Sequence, residues 1–403
     1  MLLGDGMADE PIAELGMKTP LECANTPNMD RIAAEGTLGL VYTIPEGLPP
    51  GSDVANLCVL GYDPRLSYSG RGPLEAANMN VKLAPEDVAF RCNLVTIGAD
   101  GSMQDYSAGH ITNEEASRII LDLQREFGSS SIMFVPGVSY RHLTVWRDGA
   151  ESAETTPPHD IVGRNSTDYL PRGPGSEGIR ELMETAAKFL AVHPVNLSRM
   201  EKGKRPANSI WLWGQGRAPK IEPLSKKYNL RGGIISAVNL LNGIGVYAGL
   251  EVIRVEGATG YIDTNYVGKA KKALEALRSM DFVFVHVEAP DEMSHEGNIE
   301  GKIRAIEDFD AKVVGTVLDG LAGFGDYRVL VMPDHPTPIR IRTHSSGPSP
   351  FAVLSSRSGE NCARGYFYNE KQAASSGISV SPGHLLMDLF IKNWGDFVAG
   401  KNG

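Results

Sequence analysis

Short apolar runs of strand length alternate along the chain with stretches whose apolar residues recur at helical spacing. That alternation predicts an α/β protein with a largely parallel sheet. Strands are expected at 281–287 and 327–332, and helices at 28–35, 52–60 and 299–321. Thr26-Pro27 reads as the N-cap and first-turn proline of one helix, with Gly36 as its stop. The next helix opens on Ser52, most simply as its N-cap, and halts at Gly61. Both strands run out into acidic and histidine residues, Asp291 to His295 after one and Asp334-His335 after the other. Open parallel sheets gather ligands at such carboxyl ends.

The middle of the chain breaks this rhythm. From about 84 to 205 turn-formers are frequent, as in Pro157-Pro158, and no strand is followed by an acidic loop. Between Pro85 and Ala187 there are eight arginines and no lysine. Arginine offers a rigid fork of donors suited to carboxylate and phosphate, whereas lysine is a mobile point charge. The expected organisation is a discontinuous catalytic domain of residues 1–83 and 206–403, with a smaller α+β substrate-binding domain inserted at 84–205. Gly243-Ile244-Gly245 follows a helical pattern rather than a strand, so it reads as a helix end and turn and not as a dinucleotide loop.

Charge narrows the choice of partners. With 39 basic and 49 acidic residues the formal net charge is −10, which argues against nonspecific binding to nucleic acid or to an anionic membrane. Cys23, Cys58, Cys92 and Cys362 are scattered and form no CxxC pair, as expected of reduced thiols in a cytoplasmic protein. No apolar run approaches membrane-spanning length, and no secretory signal opens the sequence.

Singly, the polar residues at the strand ends have ordinary explanations. Asp5 in Leu-Leu-Gly-Asp-Gly suits a turn, Asp291 and His295 suit an i,i+4 ion pair, and a lone His344 is usually structural. As a set, Asp5, Asp291, Asp334, His295, His335, His344 and Ser52 are three aspartates, three histidines and one serine. Oxygen and imidazole donors without thiolate favour Mn²⁺, Zn²⁺, Co²⁺ or Mg²⁺. Six such ligands exceed one tetrahedral ion and suit two, an arrangement that supports in-line phosphoryl transfer to a serine at a helix start.

Five segments carry a more specific signal: Leu-Gly-Asp-Gly-Met-Ala-Asp (3–9), Gly-Ser-Asp-Val-Ala-Asn-Leu (51–57), Gly-Tyr-Asp-Pro (61–64), Asp-Glu-Met-Ser-His-Glu-Gly (291–297) and Pro-Asp-His-Pro-Thr-Pro (333–338). In this order the chain resembles the cofactor-independent phosphoglycerate mutases of the archaeal type, members of the alkaline phosphatase superfamily. The resemblance implies an alkaline-phosphatase-like three-layer domain with a mostly parallel sheet, plus a smaller inserted domain. It further implies one ion on Asp291, His295 and His344, and another on Asp5, Asp334 and His335 with Ser52 as phosphoryl acceptor. It places His110, Arg141, Arg164 and Lys220 against the substrate. Only Met1 to Leu3 precede Asp5 where the family has a fuller strand, so a short first strand is expected.

The activity so implied is interconversion of 3- and 2-phosphoglycerate through a phosphoserine, independent of 2,3-bisphosphoglycerate. A metal-dependent phosphatase, phosphodiesterase or phosphopentomutase would share the same ligands. A thiamine-diphosphate-dependent decarboxylase is a remote alternative, suggested only by Gly4-Asp5-Gly6 with Asn25 and Asn28, and it leaves the histidines unexplained.

Overall fold

The computed structural model describes residues 1–400 and divides them into two compact units. The larger comprises Met1–Tyr68 together with the chain from Lys220 onward, and the smaller is Ser69–Pro219. Strands β1 (Leu2–Gly4) and β2 (Thr37–Val41) precede the smaller unit, which carries β3 (Asp87–Ile97), β4 (Met103–Asp105), β5 (Ile132–Val138), β6 (Arg141–Arg147) and β7 (Ser209–Gly216). Then follow β8 (Gly232–Ile235), β9 (Glu251–Val252), β10 (Phe282–Val287), β11 (Arg328–Met332), β12 (Ser349–Ser355) and β13 (Ser379–Val380).

In the larger unit eight strands form one sheet in the order β13-β2-β12-β11-β1-β10-β8-β9. All neighbours are parallel except β12, which runs against both β11 and β2. The mostly parallel α/β architecture is thus as the sequence pattern predicts. β1 is only three residues long, yet it lies inside the sheet, with Leu2 opposite Val285 on one side and Val331 on the other. Every residue of β10 is buried, as a strand covered on both faces should be. Its Val283 and Val285 join Ile306, Phe309, Val313 and Val317 in one apolar core.

Local expectations were met with instructive departures. The predicted helix 299–321 runs as Ile299–Phe309, a wide π turn at Asp310–Val314 and Gly315–Leu321. That turn carries Asp310, whose carboxylate accepts from the backbone N–H groups of Asn28 (3.2 Å) and Met29 (2.7 Å). Thr26 makes no capping bond through its side chain; the helix Pro27–Glu35 is capped from across the fold instead. Ser52 is the first helical residue of Ser52–Val59 rather than its N-cap, a place taken by Gly51, so its hydroxyl is not committed to capping. Gly243 and Gly245 lie inside the helix Asn239–Tyr247 and do not end it. A Cβ on Gly245 would come within 2.6 Å of Ile234, so close packing on β8 explains that glycine.

The smaller unit is an antiparallel sheet, β4-β3-β6-β5 with β7 also paired to β3, packed with the helices Asn113–Phe127 and Ser176–Ala191. Its limits lie outside the expected 84–205. β7 pairs with β3 from Ala89 to Val95, and the helix Arg71–Asn78 places Ala76 against Ala89 and Leu143, so both belong with that sheet. Among the described residues no helix is long and apolar enough to cross a membrane.

Candidate active site

Parallel strands deliver the polar residues of the larger unit to one edge of its sheet. Asp5 directly follows β1, and its N–H is tied to Val287 O (2.9 Å) at the end of β10. Asp334 and His335 follow β11, while Asp291 and His295 sit one turn apart on the helix Ala289–Glu296 after β10. His344 comes from the loop between β11 and β12. Ser52 heads its helix with Oγ 3.2 Å from His335 Nε2.

These side chains converge into two groups whose ligand atoms lie within 4.8 Å of one another: Asp5, Asp334 and His335, and Asp291, His335 and His344. His335 is common to both. His295 joins the second group through Nε2, 3.0 Å from Asp291 Oδ2 and 3.2 Å from His344 Nε2. Its Nδ1 faces Arg342 O at 2.9 Å, which places a ring proton there and turns Nε2 toward Asp291.

Three aspartates this deeply buried demand compensation. Asp5, Asp291 and Asp334 are each no more than 4% exposed, and Asp5 Oδ1 is buried with no hydrogen-bond partner. Burial, and then the neighbouring Asp334 and Asp291, push the Asp5 carboxyl well above its usual range. Burial acts the same way on Asp291, but hydrogen bonds from His295 and His344 outweigh it and hold that carboxyl well below its usual range. In return, the bond to Asp291 raises His295 to about 9. Protons on imidazole thus occupy the place where cationic charge is required. The donor set and the orphaned Asp5 oxygen fit divalent metal ions.

Supporting residues escaped the sequence reading. His286, in the otherwise apolar β10, lies with Nε2 2.9 Å from Asp5 Oδ2 and Nδ1 3.3 Å from Ser236 Oγ. A lone histidine in Phe-Val-Phe-Val-His-Val was the available signal. Asn56, one turn after Ser52, donates to Asp334 Oδ2 (2.8 Å) and to Ser52 O (2.9 Å). Burial first, then Glu292 and Asp291, raise Glu288 to about 8.

The residues expected to hold substrate come from separate segments, three of them in the smaller unit. His110 is exposed and follows Ala108 and Gly109 in a run of positive φ angles (49°, 67°, 48°), pinned by Asp105 contacts to Ser107 and Gly109. Arg164 donates to the Tyr169 hydroxyl at 3.2 Å. Lys220 belongs to the larger unit, where it is exposed. Arg141 lies 5.3 Å from the Tyr140 ring centroid and contributes to a group that the sequence reading did not assemble. Arg91 stands 4.5 Å from the Trp213 centroid and 3.5 Å from Glu75. His159 meets Trp213 and Tyr106 edge-on. The Arg91 guanidinium is lowered by burial, with Arg71 and Arg141 close enough to add repulsion. Three guanidinium groups drawn from distant segments therefore gather around an aromatic wall.

The family model for 2,3-bisphosphoglycerate-independent phosphoglycerate mutase matches residues 33–196. A 2,3-bisphosphoglycerate-independent phosphoglycerate mutase of Methanosarcina acetivorans is 52% identical over 395 residues, covering 97% of this chain and 99% of its own. The solved structure of a Pyrococcus horikoshii protein superposes with a TM-score of 0.81 at 30% identity, covering 98% of this chain and 96% of that one. The cofactor-independent phosphoglycerate mutase of Thermoplasma acidophilum gives 0.66 at 26% identity, covering 98% of each chain. Identity at the level of the Methanosarcina relative, end to end in both chains, makes this protein a member of the 2,3-bisphosphoglycerate-independent phosphoglycerate mutase family and an enzyme of that class.

Proposed function

We propose that the chain interconverts 3-phosphoglycerate and 2-phosphoglycerate through a phosphorylated Ser52. The observation that carries this reading is the position of Ser52 Oγ, uncommitted at a helix start and 3.2 Å from His335 Nε2, beside both groups of acidic and histidine ligands. Asp5, Asp334 and His335 would hold one divalent cation and Asp291, His295 and His344 the other. Manganese, zinc, cobalt or magnesium bound there supplies a lowered hydroxyl pKa and positive charge facing the phosphate.

Ser52 Oγ attacks phosphorus in line as the bond to the 3-oxygen breaks, and that oxygen takes up a proton. Glycerate then turns in place, its 2-hydroxyl attacks the phosphoserine, and Ser52 is released with its proton restored. Arg91, with Arg71 and Arg141 close enough to repel it, suits the glycerate carboxylate. His110, Arg164 and Lys220 stay as further substrate contacts in this reading. Retention of glycerate, with exclusion of water, is what separates a mutase from a phosphatase built on the same ligands. The four cysteines are all free, in keeping with a cytoplasmic setting.

Ser52→Ala tests the reading. Acid-quenched reactions with ³²P-labelled 3-phosphoglycerate should label the native protein and not the variant, while bound metal is retained. Mutase activity in the variant would overturn the mechanism, and release of free phosphate in place of 2-phosphoglycerate by the native protein would favour a phosphatase.

A further inference from the structure

Thr337 lies two residues after His335, fully buried, and has no part in the reaction above. Its Oγ1 is 2.5 Å from Asp291 Oδ1 and 3.2 Å from His335 Nδ1. An ionised carboxylate only accepts, so the single hydroxyl hydrogen goes to Asp291. The hydroxyl oxygen is then an acceptor toward His335. A neutral imidazole carries one N–H, and at His335 it must sit on Nδ1 to reach Thr337. Nε2 is left with a bare lone pair, 3.2 Å from Ser52 Oγ, 3.4 Å from Asp334 Oδ2 and 3.6 Å from Asp5 Oδ1. The same hydroxyl occupies Asp291 Oδ1 and so leaves Oδ2 to face His295 and His344.

The slot around Thr337 is built from three sides. Its carbonyl accepts from Lys302 Nζ (3.0 Å), a buried ammonium that also holds Asp9 Oδ2 (2.8 Å) and Ala8 O (3.3 Å). Its N–H donates to Ala8 O at 3.1 Å. Opposite lies Gly6 at φ +61°, where a Cβ would come 2.6 Å from Thr337 Oγ1 and 2.4 Å from Asp291 Oδ1. A side chain at position 6 would therefore displace the hydroxyl or the carboxylate it meets, which the glycine avoids.

We propose that Thr337 is a positioning residue that ties the two ion sites together: one hydroxyl fixes the Nδ1–H tautomer of His335 and orients the Asp291 carboxylate, so that both turn lone pairs toward the cations. This rests on the two-cation reading of the site, yet its first test needs neither metal nor substrate.

Long-range ¹H–¹⁵N NMR of metal-free, histidine-labelled protein, with His335 assigned through His335→Gln, should show a protonated Nδ1 and an unprotonated Nε2. The opposite tautomer overturns the proposal. Calorimetric titration of metal-free protein with Mn²⁺ gives the second arm. Thr337→Val should weaken binding at both sites by about 10- to 100-fold, the usual scale for removing a residue that orients a ligand. Thr337→Ser, which keeps the hydroxyl, should stay within about threefold of the native protein on the same scale. Native affinity in Thr337→Val, or a Thr337→Ser loss as large as that of Val, overturns the proposal. Should Thr337→Val fail to fold, the native tautomer and the serine variant still decide. Persistent mutase activity in Ser52→Ala would remove the phosphoserine mechanism and leave the tautomer result untouched, so the two failures are distinguishable.

Discussion

The two units assemble opposite kinds of electrostatic discomfort. In the larger one, Asp5, Asp291 and Asp334 are buried side by side, and burial together with its two neighbours raises the cost of charge on Asp5. In the smaller one, Arg91 is buried against Trp213 with Arg71 and Arg141 close enough to repel it, and Arg141 lies beside Tyr140. A pocket of anions is relieved by cations and a pocket of cations by an anion. The difference also teaches how the two tolerate change. The acidic pocket is rigid, because its donors are fixed by strand ends and by secondary contacts from His286, Asn56 and Thr337. In the arginine group, Arg91 stacks on Trp213 and pairs with Glu75.

The largest effect should come from the rigid side. Asp334→Asn removes the carboxylate between His335 and Asn56, and we expect kcat/KM to fall by at least about 10³-fold together with loss of bound metal, which elemental analysis would detect. A variant that keeps full metal and activity would show that the acidic pocket is not the catalytic centre. On the arginine side, Arg91→Met should raise KM so that kcat/KM falls about 10- to 100-fold with metal content unchanged, the scale of a lost charge-assisted contact. Arg91→Lys should recover little, because lysine lacks the planar fork that stacks on Trp213. An unchanged KM in both would break the pairing of anion and cation pockets.

His286→Leu offers a finer comparison within the acidic pocket. It deprives Asp5 Oδ2 of its neighbour, and metal affinity should drop about 10- to 100-fold while KM for substrate at saturating metal holds. The smallest effects lie in the pH dependence of stability of the metal-free protein, where two histidines titrate in opposite senses. His295, raised to about 9 by its bond to Asp291, keeps a proton that the unfolded chain has lost near 6.5. Its contribution is complete below pH 6.5 and disappears as pH rises through about 9. His142, in the smaller unit, is pushed by burial down to about 3. It contributes above pH 6.5 and loses that contribution as pH falls toward 3, with a limiting slope of about 1.4 kcal/mol per pH unit. Thermal melts across pH should show His295→Gln flattening the alkaline limb and His142→Asn the acid limb.

What the sequence disclosed follows the same division. Asp5, Asp291, Asp334 and His335 were legible because each sits just after a strand whose apolar run is plain, and sheet order then brings strand ends together. Thr26 as a cap was a sound local expectation that lost to a stronger acceptor, the Asp310 carboxylate, which no local window contains. The unit boundary was misplaced for a similar reason: the pairing of β7 with β3 joins segments more than a hundred residues apart. Of the arginine group, Arg91 and Arg141 were visible only within a composition, eight arginines without a lysine, and Arg71 lay outside that stretch altogether. Arg71, Arg91, Arg141 and His159 come from four separate segments, and no spacing rule links them. His286 hid in an apolar strand because alternation cannot tell a core residue from a polar one serving a buried carboxylate.

The interior position of β1 has a bearing on biosynthesis. Asp5 is synthesised well before its strand neighbours β10 and β11, which arrive only with residues 282–332. The smaller unit, Ser69–Pro219, is contiguous and can fold in the interval, since domains fold as units while the chain grows. Until most of the chain exists, the carboxylates of the ion pocket remain ordinary hydrated side chains, with no geometry to hold a metal. Burial of those charges, and with it the formation of the cation sites proposed above, therefore belongs to one late event in the life of the nascent protein.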